Sequence, residues 1–136
     1  RTQGVGMELG LIQGTFAIAK YALDARPQVI PDESDGSSAL LSVSWTDSEC
    51  TVVAPEDRIP QGYLERQDGW AVLKIEGVLD FSLIGVLSSV LAPLGKAGVS
   101  VFTMSTFSTD YILVKTDSLD SAVASLREAG FVVGLL

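Results

Sequence analysis

The residues from Gly98 to Lys115 carry the plainest pattern in the chain. Val99, Val101 and Thr103 fall on one side of an extended segment and Ser100, Phe102 and Met104 on the other, before a polar corner at residues 106–110 and a second apolar run over residues 111–114. Side chains alternate along a strand with a period of two, so the pattern predicts a β-hairpin. An antiparallel sheet with one wet face shows apolar residues on one side only. Here both sides carry them, which predicts that both faces are covered.

The pattern changes period on either side of this hairpin. Ile84, Leu87, Leu91 and Leu94 recur at three- and four-residue spacing and predict a helix, with Asp80 or Ser82 as its cap, Pro93 kinking its last turn and Gly98 ending it. Residues 117–130 predict a second helix with an apolar stripe at Leu119, Ala122, Val123 and Leu126 and a terminal Gly130. With strands over residues 70–78 and 131–136, the order for residues 70–136 is β-α-β-β-α-β.

The first half is less regular. Residues 1–6 read as a frayed end, with Met7 as the start of ordered structure. Phe16, Ile18 and Lys20 alternate with Ala17, Ala19 and Tyr21, predicting a strand. Residues 25–36, with Pro27 and Pro31, predict a connection with at most one helical turn at 27–30. Residues 39–45 and 50–54 predict a second hairpin, joined through Thr46, Asp47, Ser48 and Glu49. The segment from Pro55 to Pro60 breaks the pattern, and the polar link 65–69 is the expected boundary. The first half can be laid on a degraded copy of the same order, so the expected fold is α+β, with units at 1–69 and 70–136.

Composition narrows the function. A chain of 136 residues with 47% hydrophobic content can build a real core, and its net charge of −8 disfavours nucleic acid and anionic membrane surfaces. Residues 1–69 hold 5 basic and 11 acidic side chains and residues 70–136 hold 4 and 6, so the excess acidity lies in the first half. The longest apolar run, residues 83–94, is shorter than the roughly 20 residues of a spanning helix. No basic segment followed by an apolar one opens the chain, and Cys50 is the single cysteine, so a reducing, cytoplasmic location is expected.

The chain has no histidine, which excludes a Ser-His-Asp triad, a Cys-His pair and a histidine-based zinc site. Aligning Gly36 with the turn glycine of a calcium loop puts Pro31 and Ser42 at ligand positions, so that match fails. Gly4 and Gly6 lack the third glycine and the preceding strand of a dinucleotide fingerprint. Cys50, in a predicted strand near Val52, reads as a buried, inert thiol. Neither a metal nor a cofactor is expected. Three features are left: the loop from Asp80 to Gly85 at a helix start, the strand Ser100, Val101 and Phe102, and the corner at 106–110. A helix N-terminus suits a carboxylate and Asp110 suits an ammonium or guanidinium, so together they would hold a zwitterion. The plain alternative is that Asp80 caps the helix and Asp110 solvates a turn.

At these residues a resemblance enters. Residues 70–136 resemble an ACT domain, the ferredoxin-like βαββαβ regulatory module of aspartate kinases and other amino-acid enzymes, most of all in residues 98–106 and 111–115. The whole chain resembles small bacterial proteins with tandem ACT-like halves related to the CASTOR arginine sensors of animals; residues 55–60 and 76–82 look typical of them. The resemblance implies a ligand between two ACT domains, contacted by a Ser-Val-Phe strand, a Thr-Phe-x-x-Asp segment and a glycine-containing loop. The matching positions are Ser100, Val101 and Phe102; Thr106, Phe107 and Asp110; and Gly85 with Val86. Those elements come from different ACT domains in CASTOR but from one half here, which implies a homodimer. The expected function is non-enzymatic amino-acid binding. The rivals are a structural or protein-interaction module without a ligand, an enzyme using Asp80 and Asp110 as acid and base, and a single-stranded RNA binder.

Overall fold

The computed structural model describes residues 7–30, 40–76 and 85–136. It contains strands β1 (Glu8–Tyr21), β2 (Ser42–Trp45), β3 (Cys50–Pro55) and β4 (Glu65–Ile75), helix α1 (Val86–Lys96), strands β5 (Val101–Ser105) and β6 (Asp110–Lys115), helix α2 (Leu119–Glu128) and strand β7 (Val132–Leu135). The β-α-β-β-α-β order expected for the second half is therefore present as β4-α1-β5-β6-α2-β7. The class is α+β, with a mostly antiparallel sheet. Two compact units result: residues 14–70, and residues 71–136 joined by the N-terminal segment ending at Gln13.

The larger unit has the strand order β7-β1-β4-β6-β5. Alternation along its strands sends Leu9, Ala71, Leu73, Ile75, Ile112, Val114 and Val133 to one face, where they form a core with Val90 and Leu94 of α1 and Ala122 and Leu126 of α2. The opposite face is not polar: Val72 and Leu113 are wholly buried, and Phe102 and Met104 half-buried. β5 and β6 pair from Val101 with Val114 to Ser105 with Asp110, as the hairpin pattern predicts. The helix ends follow local chemistry. Gly98, at φ 74°, takes the left-handed turn after α1 while the Val99 N–H bonds the Leu94 carbonyl at 3.0 Å. Gly130 does the same after α2, with the Phe131 N–H on the Leu126 carbonyl at 3.0 Å.

The sequence reading places residues 1–69 together, whereas the segment before Gly14 packs with the second half. Its strand pairs in parallel with β7, Glu8 with Val132 through Leu11 with Leu135, and a parallel ladder is favoured where it is buried, as Leu9 and Val133 are. The β7 strand thus reaches β4 only through β1. The helix starts at Val86, behind a left-handed Gly85, while the proposed caps Asp80 and Ser82, with Ile84 and Val78, lie outside the described residues.

In the smaller unit, β2, β3, the second part of β1 and the first part of β4 lie in the order β2-β3-β1-β4. Ala17, Ala19, Tyr21, Cys50, Val52, Ala54 and Ile59 make its core. The β2–β3 turn is held by the Thr46 hydroxyl oxygen, which accepts the N–H groups of Ser48 and Glu49 at 3.2 and 3.1 Å. No helical turn forms at residues 27–30. The polar link 65–69 is strand rather than linker. The Leu64 N–H bonds the Lys20 carbonyl at 2.7 Å, and Gly69, at φ 81°, donates its N–H to the Glu56 carboxylate at 2.8 Å. Arg66 reaches Asp68 at 2.5 Å and the Glu56 carbonyl at 2.7 Å, with its guanidinium 5.6 Å from the centre of the Tyr63 ring. Its charged residues thus have local partners that a reading by polarity alone misses.

A Cβ at Gly98 would meet no atom within 4 Å, so replacement there tests backbone conformation alone. Gly98→Ala is expected to lower stability by about 1–2 kcal/mol, and Gly98→Asn by less, in urea unfolding.

Candidate ligand-binding site

The corner between β5 and β6 is built by its own side chains. The Thr106 N–H bonds the Thr109 carbonyl at 2.9 Å and the Thr106 hydroxyl approaches the same oxygen at 3.3 Å. Across the last pair of the ladder, the Ser105 hydroxyl donates to the Asp110 carboxylate. Asp110 is thereby aimed and half-buried, while Phe107 stands 85% exposed at the tip.

Thr109 ties this corner to the rest of the unit. It is buried, and its hydroxyl donates to the Ile75 carbonyl at the end of β4 at 2.6 Å. The corner is therefore fastened where the chain leaves β4 toward α1. The sequence reading does not single out Thr109, because a threonine in a turn has many ordinary uses and its partner lies 34 residues away. The following residue, Glu76, has its N–H on the Glu8 carbonyl at 2.8 Å. Its Oε2 is buried and has no hydrogen-bond partner among the described residues.

At the start of α1, Gly85 is exposed, at φ 82°, with open space where a Cβ would lie. Its carbonyl accepts the first helical bond, from the Ser89 N–H at 2.8 Å. The N–H groups of the first turn have no intrahelical acceptor. Val86 packs on the helix-covered core, as does Val101. Phe102 points to the opposite face of the sheet, so the side chains of Val101 and Phe102 cannot both face one ligand, and Ser100 is exposed. The expected residues thus sort into the corner at Thr106, Phe107 and Asp110, the start of α1 at Gly85 and Val86, and a β5 edge that offers chiefly main chain. Asp80 lies outside the described residues.

A separate groove of about 300 Å³ runs between α2 and β7, lined by Leu11, Leu119, Val123, Arg127 and Leu135 among others. One Arg127 nitrogen bonds the Val133 carbonyl at 2.8 Å. Among the described residues no group of acidic side chains and Cys50 is arranged to hold a metal. Cys50 is buried and burial raises its pKa, which keeps it a protonated, unreactive thiol.

Comparison with known proteins agrees with this architecture. The family model for the ACT domain matches residues 65–128. The protein Atu0741 from Agobacterium tumefaciens is 32% identical, with a TM-score of 0.80 over 96% of this chain and 93% of that one. The chain belongs to the family of Atu0741, and residues 65–128 are an ACT domain. Two further structures share its fold. Aspartate kinase from Clostridium acetobutylicum is 12% identical, with a TM-score of 0.63 over 93% of this chain and 35% of that one. The ligand-free regulatory subunit of aspartate kinase from Thermus thermophilus is 11% identical, with a TM-score of 0.57 over 89% of this chain and 96% of that one. None of the curated proteins matches the chain. Among the described residues no helix is long and apolar enough to cross a membrane.

Thr109→Val keeps the shape but leaves the buried Ile75 carbonyl without its donor. It is expected to cost about 1–3 kcal/mol in urea unfolding, and Thr109→Ser to restore most of it.

Proposed function

We propose that this protein is a non-enzymatic, cytoplasmic regulator that binds an amino acid at the corner of its ACT domain, where two ACT units meet. The observation that carries the reading is the Thr109–Ile75 bond, which fastens the corner that carries Asp110 to the end of β4. In this reading the helix N-terminus takes the ligand's carboxylate, Asp110 offers negative charge to its ammonium group, Thr106 and Phe107 flank it from the corner, and Ser100, Val101, Phe102 and Val86 contribute chiefly main chain. Asp80, expected at the same site, lies outside the described residues. The likeness to aspartate kinase regulatory subunits supports a regulatory role, and the CASTOR-like spacing supports a site completed by a second unit.

Melting temperature in the presence of each of the twenty amino acids tests this, since a ligand that binds only the native state raises it. At least one amino acid is expected to do so, and Asp110→Asn to weaken that binding about tenfold with little change in the melting temperature of the free protein. The second reading, an ACT fold kept as an interaction module, draws on the bond from Ser105 that already occupies Asp110. It predicts no shift with any of the twenty.

The partner in this proposal is a second copy of the chain. Val132 and Leu135 are 54% and 84% exposed on β7, which borders the apolar groove beside α2, and exposed apolar surface of this kind marks interfaces. Light scattering at micromolar concentration is expected to give a dimer, and Leu135→Lys to shift it toward monomer.

A further inference from the structure

We propose that Glu76 is a ligand-binding residue and receives the ammonium group of the amino acid, an assignment that rests on the function proposed above. Several other polar side chains of the same unit have partners. Thr109 is on the Ile75 carbonyl, Arg127 on the Val133 carbonyl, Ser125 on the Ala122 carbonyl and Asp110 on the Ser105 hydroxyl. Glu76 is different: one oxygen of its carboxylate is shut off from solvent with no hydrogen-bond partner among the described residues.

Such an oxygen is a cost in the free protein, because burial removes its water and supplies nothing in exchange. Its backbone leaves little room to escape that cost. The Glu76 N–H is fixed to Glu8, and the preceding carbonyl, that of Ile75, is fixed to Thr109 at the corner. An acceptor held there, one residue from the corner, suits a compact donor with several N–H groups, which is what an ammonium group is. Asp110, whose carboxylate is already engaged by Ser105, then adds negative charge near the site, while Glu76 makes the direct contact. Binding supplies the partner that the free fold withholds, so the site is destabilised until it is filled.

The test uses the full-length protein, the twenty amino acids and, for each one that binds, the matching 2-hydroxy acid, which replaces the ammonium group with a hydroxyl. Wild type is expected to bind the amino acid more than tenfold more tightly than its 2-hydroxy analogue. Glu76→Gln is expected to weaken the amino acid by on the order of a hundredfold and to leave the analogue within about threefold, so that removing both partners costs little more than removing either. The free Glu76→Gln protein, relieved of the charge on a buried oxygen without a partner, is expected to melt at a higher temperature than wild type. Glu76→Met gives the same rise if the polarity of the buried atom is the cause.

The two failures are distinguishable. If no amino acid binds wild type, the proposed function falls and this assignment with it. If wild type binds but Glu76→Gln binds equally well, or weakens amino acid and analogue alike, the function stands and the assignment to Glu76 is overturned. A lower melting temperature in both variants also overturns it, because it makes Glu76 part of the framework.

Discussion

The parallel pairing of Glu8–Leu11 with Val132–Leu135 is the constraint on which the larger unit depends. It inserts the start of β1 between β7 and β4, so the sheet gains a strand that the βαββαβ order does not contain. That strand fills the core from below with Leu9, and Leu136 closes over Gly10, where a Cβ would lie only 2.4 Å from the leucine Cγ. The remainder of β1 serves the smaller unit, where it pairs with β3 from Phe16 to Tyr21. One strand therefore supplies two compact units, and the polypeptide cannot be divided at a single point in its sequence.

The site depends on a different economy, that of polar groups at the end of the sheet. Strand ends expose main-chain carbonyls that need donors once they are shielded from water. Thr109 supplies one for Ile75, and in doing so fixes the corner whose side chains the proposed function uses. The Ser105–Asp110 bond stiffens the same corner from the other side. Glu76 is the exception within this arrangement, and exceptions to hydrogen-bond satisfaction in a well-packed unit are where binding energy can be held in reserve.

The smaller unit shows how local chemistry can look like a linker. Residues 65–68 are polar, yet each of the charges at Arg66 and Asp68 has a partner, and Tyr21 anchors the preceding segment through a 2.6 Å bond from its hydroxyl to the Pro60 carbonyl. The Tyr21 hydroxyl is held above its ordinary pKa by burial, so it stays protonated as a donor.

The amino-acid sequence by itself determined the elements whose causes are local. The period-two alternation of residues 99–104 and 111–114, the stripe at Leu119, Ala122, Val123 and Leu126, and the stop signals at Gly98 and Gly130 each act within a few residues, and the order β4-α1-β5-β6-α2-β7 follows from them. The corner residues Thr106, Phe107 and Asp110 were legible for the same reason, since turn chemistry is read from neighbours. Tertiary structure alone decided which strands are neighbours, because the Glu8–Val132 ladder joins residues more than a hundred positions apart and no local pattern encodes that register. It also decided that Val101 faces the core while Phe102 faces away, that Thr109 holds Ile75, and that one oxygen of Glu76 is buried without a partner among the described residues. Burial and pairing are properties of the packed chain, and a carboxylate or a hydroxyl acquires its role only when distant backbone is brought against it.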